Sequence, residues 1–299
     1  MGTTVIRGAA GMPRGRVAAQ QGVRARAALG RGLLYLVLVV GSLVYLLPLL
    51  WLVSTSLKDD QQVFVFPPEW IPNPVRLDNY ASAWAYADFT RYLGKTLQVT
   101  VLTVIGRTVS AAFVAYGFAR IRFPGRDKLF LLVLATLMLP EIVLLIPQFV
   151  EFRVLGWVNT FKPLIVPAWF GGGAFSIFLL RQFFLTIPVE LADAARIDGA
   201  GEVSILTRVI LPLSQPALAT VAIFAFMGAW NDFMGPLIYL NSDKKWTMTL
   251  GLQHFIQTHT TQWTYLMAIS ALMVVPVIVT FFFAQKQFIQ GVVLTGTKG

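Results

Sequence analysis

The residues capable of chemistry are few and scattered. The chain has no cysteine, so it offers no thiolate nucleophile, no thiolate metal site and no disulfide. Its two histidines, His254 and His259, stand five apart, and no acidic residue follows His254 where a zinc-hydrolase helix requires one. No metal site is expected. Gly94-Lys95-Thr96 matches the end of a phosphate-binding loop, but that loop needs a glycine five positions before Gly94, where Phe89 stands. If ATP drives this protein, it binds another subunit, and no catalytic residue or cofactor is assigned to this chain. What remains is charge in unusual places. Of the fourteen acidic residues, Glu190, Asp193, Asp198 and Glu202 crowd together. Arg107 and Glu141 each interrupt an apolar run, and Asn231 and Asp232, between Trp230 and Phe233, end another.

The elements that must hold these residues are apolar helices. Hydrophobic residues make up 56% of the 299 and charged residues 13%, against about 45–50% and about 25% in ordinary globular chains. Mean hydropathy is +0.68. That leaves too little polar surface to coat a soluble particle, so the excess faces lipid. Six windows are long enough to cross a bilayer, which takes about 20 helical residues: 32–53, 96–119, 129–149, 163–180, 214–240 and 264–285. The fold class is therefore an all-α membrane protein of six transmembrane helices. In the fourth window Pro167 and Gly171-Gly172-Gly173 predict a break or a very tight contact. The first window is too long for a signal-peptide core and lacks a small-residue cleavage site, so it reads as an uncleaved span.

The net charge of +10 would suit a nucleic-acid binder only as a basic patch on a soluble fold. Here it reports orientation. Residues 1–31, 120–128, 181–213 and 286–299 carry fifteen Lys and Arg, while 54–95, 150–162 and 241–263 carry eight over a similar length. The positive-inside rule puts the first set, with both termini, in the cytoplasm. Residues 1–31 read as a basic, disordered arm near anionic lipid headgroups, 32–285 as the six-span transmembrane domain, and 286–299 as a cytoplasmic tail.

The stretch 181–213 is more than a connector. Pro188 can open a helix, Glu190 and Asp193 suit its positive end, Ala192, Ala194 and Ala195 keep it slim, and Gly199 can close it at positive φ. A second helix from about Glu202 to Ile210 ends before Pro212. Residue types alone leave two readings: a docking element, or a surface hairpin without a partner.

The run Asp193-Ala194-Ala195, three residues, Gly199, nine residues, Val209, any residue, Leu211-Pro212 resembles the EAA loop of binding-protein-dependent ABC importers. Asp193 replaces the usual Glu and Val209 the usual Ile. From about residue 32 onward the chain also resembles the carbohydrate-uptake branch, in Thr160-Phe161, Phe178-Leu179-Leu180-Arg181, Trp230-Asn231-Asp232-Phe233, Thr249-Leu250-Gly251-Leu252 and the end Gly291 to Gly299. That tail is similar to the smaller of the two permease subunits in maltose-type systems. The resemblance implies a type I importer permease paired with a related second permease, two ABC ATPase subunits that bind ATP and Mg, and an extracytoplasmic sugar-binding protein. It implies that 188–212 is a coupling loop that meets the ATPase through Glu190, Asp193, Ala194, Ala195, Asp198, Gly199, Leu211 and Pro212. It also implies that the loop from Gln253 to Thr261 reaches toward the binding protein and that the C-terminal tail runs along the ATPases. An ion-coupled secondary transporter is the alternative, but no whole-span repeat is visible and it leaves the loop unexplained. Which sugar is carried is not legible.

Two expectations come from geometry. Arg107 lies 12 residues before Ala119, and Glu141 12 residues after Leu129, which puts both roughly 18 Å from the cytoplasmic boundary on antiparallel spans. They are expected to pair directly or through water, or else to face a wet pathway or a partner subunit. Trp230, Asn231, Asp232 and Phe233 supply hydrogen-bonding groups and flat rings suited to a sugar route, or a structural cap or subunit contact.

Overall fold

The computed structural model describes the backbone of residues 14–256 and 261–296, and side chains within 30–256 and 261–285. Among the described residues every element is helical, apart from one isolated bridge between Ile256 and Thr261. The chain divides into two units, Met1–Ser54 and Thr55–Gly299.

The first unit is occupied by α1 (Arg14–Ser56). Its stretch Gly30–Ser56, 27 residues of mean hydropathy 2.6, is long and apolar enough to cross a membrane. The helix begins earlier than the expected span start at 32. The alanines, glutamines and arginines of the basic arm are strong helix formers, so the arm is helical from Arg14; residues 1–13 lie outside the described residues.

The second unit contains α2 (Asp78–Tyr86), α3 (Phe89–Arg120), α4 (Arg126–Ala135), α5 (Glu141–Val154), α6 (Lys162–Trp169), α7 (Ala174–Thr186), α8 (Val189–Ile197), α9 (Glu202–Ile205), α10 (Leu211–Leu213), α11 (Gln215–Trp230), α12 (Met234–Tyr239), α13 (Met248–Gly251) and α14 (Trp263–Gly296). Phe89–Arg120, Lys162–Thr186 and Trp263–Gln285 are also long and apolar enough to span. The two remaining expected spans are bent. Arg126–Met138 meets Glu141–Val154 at 101°, and Glu202–Leu213 meets Gln215–Trp230 at 85°. The window 129–149 is thus not one rod. Pro140 forces Leu139 out of the helical region, to φ −85° and ψ 115°, and the helix restarts at Glu141. The second bend, at Ser214, falls where the sequence separates loop from span. The fifth window also stops short of 240: α11 ends at Trp230, and α12 follows after Asn231–Phe233.

The long helix α3 is the hub, packed against α6, α7 and α11. Its buried face is built from small residues. Ala111, Ala112, Ala115 and Ala119 let Ile177, Leu180 and Phe184 of α7 and Val221 of α11 approach closely. The expected break in the fourth window lies between α6 and α7. Gly171, Gly172 and Gly173 all have positive φ (92°, 68° and 85°). A Cβ on Gly172 would stand 2.4 Å from the Arg107 carbonyl oxygen and 2.7 Å from the Ala111 nitrogen, so only glycine fits against α3. A second cluster, around Phe89, Tyr92, Met248, Phe255 and Ile269, joins the other end of α3 to α13 and α14.

Candidate functional site

The loop 188–212 folds as a helical hairpin. Pro188, at φ −54° and ψ 135°, leads into α8, with Glu190 in the first turn. The helix ends in a Schellman motif: Gly199 N–H donates to the Arg196 carbonyl (3.0 Å) and Ala200 N–H to the Ala195 carbonyl (2.9 Å). Gly199 sits at φ +83°, a conformation that favours glycine. Gly201 then leads into α9. Leu206–Ile210 widens into a π turn just before Pro212, whose ring has no N–H to give and crowds the preceding turn. The second helix therefore does not stop before Pro212; it resumes through Leu211–Leu213.

One face of the hairpin is apolar and inward. Ala192, Ile205, Leu206 and Ile210 are buried in the same cluster as Ala115, Tyr116, Ala119 and Phe184, with Ala195, Ala200 and Leu211 packed against it. The opposite face leaves apolar side chains exposed, with Val203 at 64% and Ile197 at 87%. Ala194 and Pro212 are exposed as well.

The four acids are not equivalent. Arg196 bonds Asp193 through Nη1 (2.7 Å) and both oxygens of Glu202, through Nε (2.9 Å) and Nη2 (3.2 Å). The Glu202 hydrogen bonds push the Arg196 guanidinium above its ordinary value. The Arg196 bonds, helped by the Tyr116 hydroxyl, hold the Glu202 carboxyl below the usual carboxylate range. Glu190 and Asp198 are exposed, and no ion pair joins either of them among the described residues. Among the described residues these two are thus the expected coupling acids outside any ion pair.

Two arginines fasten the base of the hairpin. Arg120, ending α3, donates to the carbonyls of Phe184 and Ile187, where α7 leads into α8. Arg181 on α7 donates back to the Phe118 carbonyl of α3 (3.3 Å) and stacks on the Phe130 ring at 4.1 Å.

The expected pathway residues separate. Trp230 is 2% exposed, and its indole N–H donates to the Met273 carbonyl of α14 (3.1 Å). It is a packing residue, turned inward because its ring fills the α11–α14 contact, and offers no free face to a sugar. The Asp232 Oδ1 accepts the Gly235 N–H (3.0 Å), and its carbonyl accepts the Thr249 hydroxyl (2.6 Å), so this side chain caps the turn into α12. Asn231 is exposed and donates to the Met227 carbonyl (2.9 Å). Phe233 is partly exposed.

Arg107 and Glu141 do not meet: no ion pair joins them among the described residues. Equal depth was counted along a straight span, and the bend at Pro140 removes that premise. Glu141 opens α5 and is exposed. Arg107 is half-buried on α3, with its Nε enclosed and, among the described residues, without a hydrogen-bond partner.

A polar cluster absent from the sequence reading joins α3 to the segment 241–263. Asp243 accepts from Arg91 (3.1 Å) and from the Tyr92 hydroxyl, and His254 Nε2 lies 2.8 Å from both the Asp243 carboxylate and the Tyr92 oxygen. Burial pushes the Asp243 carboxyl up, but the bonds from Tyr92 and His254 and the nearby charges of His254 and Arg91 hold it below its ordinary value. No spacing signals this cluster, because its halves lie about 150 positions apart. Among the described residues no group of three His, Cys, Asp or Glu could hold a metal.

The family model described as "Binding-protein-dependent transport system inner membrane component" matches residues 108–293, which include α7, the whole hairpin and α11. The chain belongs to this family. Curated relatives agree. The chain is 34% identical to the arabinooligosaccharides transport system permease protein AraQ of Halalkalibacterium halodurans, over 82% of this chain and 86% of that one. It is 34% identical to the diacetylchitobiose uptake system permease protein NgcG of Streptomyces coelicolor, over 87% and 86%. In fold it is similar to a chain of the bacterial ABC transporter that imports the acidic polysaccharide alginate, with a TM-score of 0.77 at 24% identity over 87% of this chain and 97% of that one. This inner-membrane permease therefore has the type I importer fold.

Proposed function

We propose that this chain is one of two related permease subunits of an ATP-driven sugar importer, forms half of the translocation path, and takes its motion from ATPase subunits through the 188–212 hairpin. The observation that carries the reading is the hairpin itself: capped at Gly199, seated on α3, and presenting Ile197, Val203, Glu190 and Asp198 outward. Exposed apolar side chains ringed by charge suit a protein partner. Nucleotide closure of an ATPase dimer shifts the spans only if the two states make different contacts with this hairpin. Relatives named for arabinooligosaccharides and diacetylchitobiose support a di- or oligosaccharide as cargo. The bias of fifteen Lys and Arg against eight supports a cytoplasmic hairpin and cytoplasmic termini. The permease binds no cofactor and performs no chemistry; ATP and Mg belong to the ATPase subunits. Asn231 and Phe233 are the proposed pathway contacts left after Trp230 and Asp232 take structural roles. Arg107 is proposed to face a wet path or a partner, since a cation at that depth requires water or an anion.

The test is co-expression of tagged permease with candidate partner permease, ATPase and binding-protein subunits from the same source, followed by co-purification and an uptake panel of labelled arabinooligosaccharides and diacetylchitobiose. Recovery of the ATPase and ATP-dependent uptake of a sugar support the reading. ATPase-independent uptake driven by an ion gradient would overturn it.

A further inference from the structure

Two of the hairpin's acids, both on its exposed surface, are engaged by Arg196, and the bonds they make form a continuous line. Asp193 on α8 is held by Arg196, and Arg196 reaches across the Gly199 corner to grip both oxygens of Glu202 on α9. Glu202 in turn accepts the phenol of Tyr116, which is 3% exposed within the main cluster on α3. The line Asp193–Arg196–Glu202–Tyr116 thus ties both helices of the hairpin to one another and to the hub helix. One turn further along α3, Arg120 holds the carbonyls of Phe184 and Ile187, the stretch that enters α8. Apolar packing beneath the hairpin, at Ala192, Ile205 and Ile210, does not by itself stop sliding, because packed helices shear by small displacements. A bidentate arginine fixes orientation as well as distance.

We propose that Tyr116, Arg196 and Glu202 are positioning residues that lock the hairpin to α3, so that a push on the hairpin moves α3 as part of the same body. The proposal rests on the reading of the hairpin as the element that meets the ATPase. It assigns Asp193 and Glu202 to the joint and leaves Glu190 and Asp198 for the partner.

The absence of cysteine gives a clean test. Spin labels are placed at Thr207→Cys on the hairpin, away from the proposed docking residues, and Phe113→Cys on α3, both exposed positions, in the full complex with cysteine-free partner subunits. The distance distribution between the labels is measured by pulsed electron resonance without nucleotide and with ATP and vanadate. The expected result is one narrow distance in both states. Tyr116→Phe and Glu202→Gln, with ATPase still co-purifying, are expected to broaden or shift the distribution when ATP and vanadate are added. Their double variant is expected to fall short of the sum of the two single effects, because they share one bond. Arg196→Lys, which keeps the charge but loses the fork, is expected to fall between. The proposal is overturned if the otherwise unmodified hairpin swings relative to α3 on ATP binding, or if the variants match it in both states. Loss of ATPase from the variants alone would also overturn it, by placing these residues in the docking face and not the joint. If ATPase fails to co-purify even with the unmodified chain, the docking reading falls and the proposal falls with it.

Discussion

Replacing Gly199 isolates the contribution of the hairpin's corner. The residue sits at φ +83°, and a Cβ built there meets nothing within 4 Å. Substitution therefore adds no clash; its cost is the left-handed backbone alone, about 1–2 kcal/mol for an L-residue. Set against the hairpin's folded arrangement, that is a factor of about 5–30 in population. Asparagine and aspartate tolerate this region better, and a β-branched residue worst. The expected order of ATPase retention is Gly199, then Asn, then Ala, then Val. Membrane insertion should be unchanged throughout, because every lipid-spanning segment lies outside the corner. The assay is the fraction of ATPase recovered with equal amounts of membrane-extracted permease, paired with uptake. Gly199→Asp adds a charge control, since it shares asparagine's tolerance but places a second anion beside Asp198. A deficit beyond that of Gly199→Asn measures repulsion at the docking face. Retention and uptake by Gly199→Val equal to the unmodified chain would refute the argument, as would Ala outperforming Asn.

Further expectations concern the body of the fold. Gly172→Ala forces a Cβ to within 2.4 Å of the Arg107 carbonyl oxygen at φ +68°, adding about 1–3 kcal/mol of overpacking to the backbone cost; Gly171→Ala, whose Cβ meets nothing, should lower the detergent-solubilised Tm less. Trp230→Phe removes the indole bond to the Met273 carbonyl, at about 0.5–1.5 kcal/mol for a lost hydrogen bond; thermal stability should fall while the uptake KM stays constant, and a changed sugar preference would return Trp230 to the path. Asp243, held below its ordinary value in the fold, contributes stability that is present above its unfolded pKa and lost as pH falls through its lower folded pKa. Protease resistance of 241–263 should drop at acid pH by that route, and Asp243→Asn should already be sensitive at neutral pH.

Much of this was legible from local pattern. Apolar windows gave the spanning segments, and three consecutive glycines marked the break in the fourth. Gly199 and the acids before it outlined the hairpin, because caps and helix dipoles act within one turn. Readings that needed direction stayed open between alternatives. Arg107 and Glu141 share a depth only along straight helices, and one proline cancels that. Trp230 and Asp232 have the right types for a sugar site, but which way a side chain points is set by neighbours such as Met273 and Gly235, far away or on the next turn. The Asp243 cluster joins residues whose proximity exists only after the chain around Asp243 and His254 has packed on α3. Nor does spacing show that Arg196 consumes two of the four loop acids.

The glycine break between α6 and α7 also constrains what surrounds this subunit. Ending one helix and starting another frees peptide N–H and C=O groups in mid-span. The Gly171 N–H is answered by the Ser110 hydroxyl at 2.6 Å, and Gly172 is pressed against α3. Hydrocarbon cannot hydrogen-bond the remaining groups. Any peptide group of the break left unpaired within the subunit therefore requires water or a neighbouring polypeptide beside it, and acyl chains are excluded from that spot.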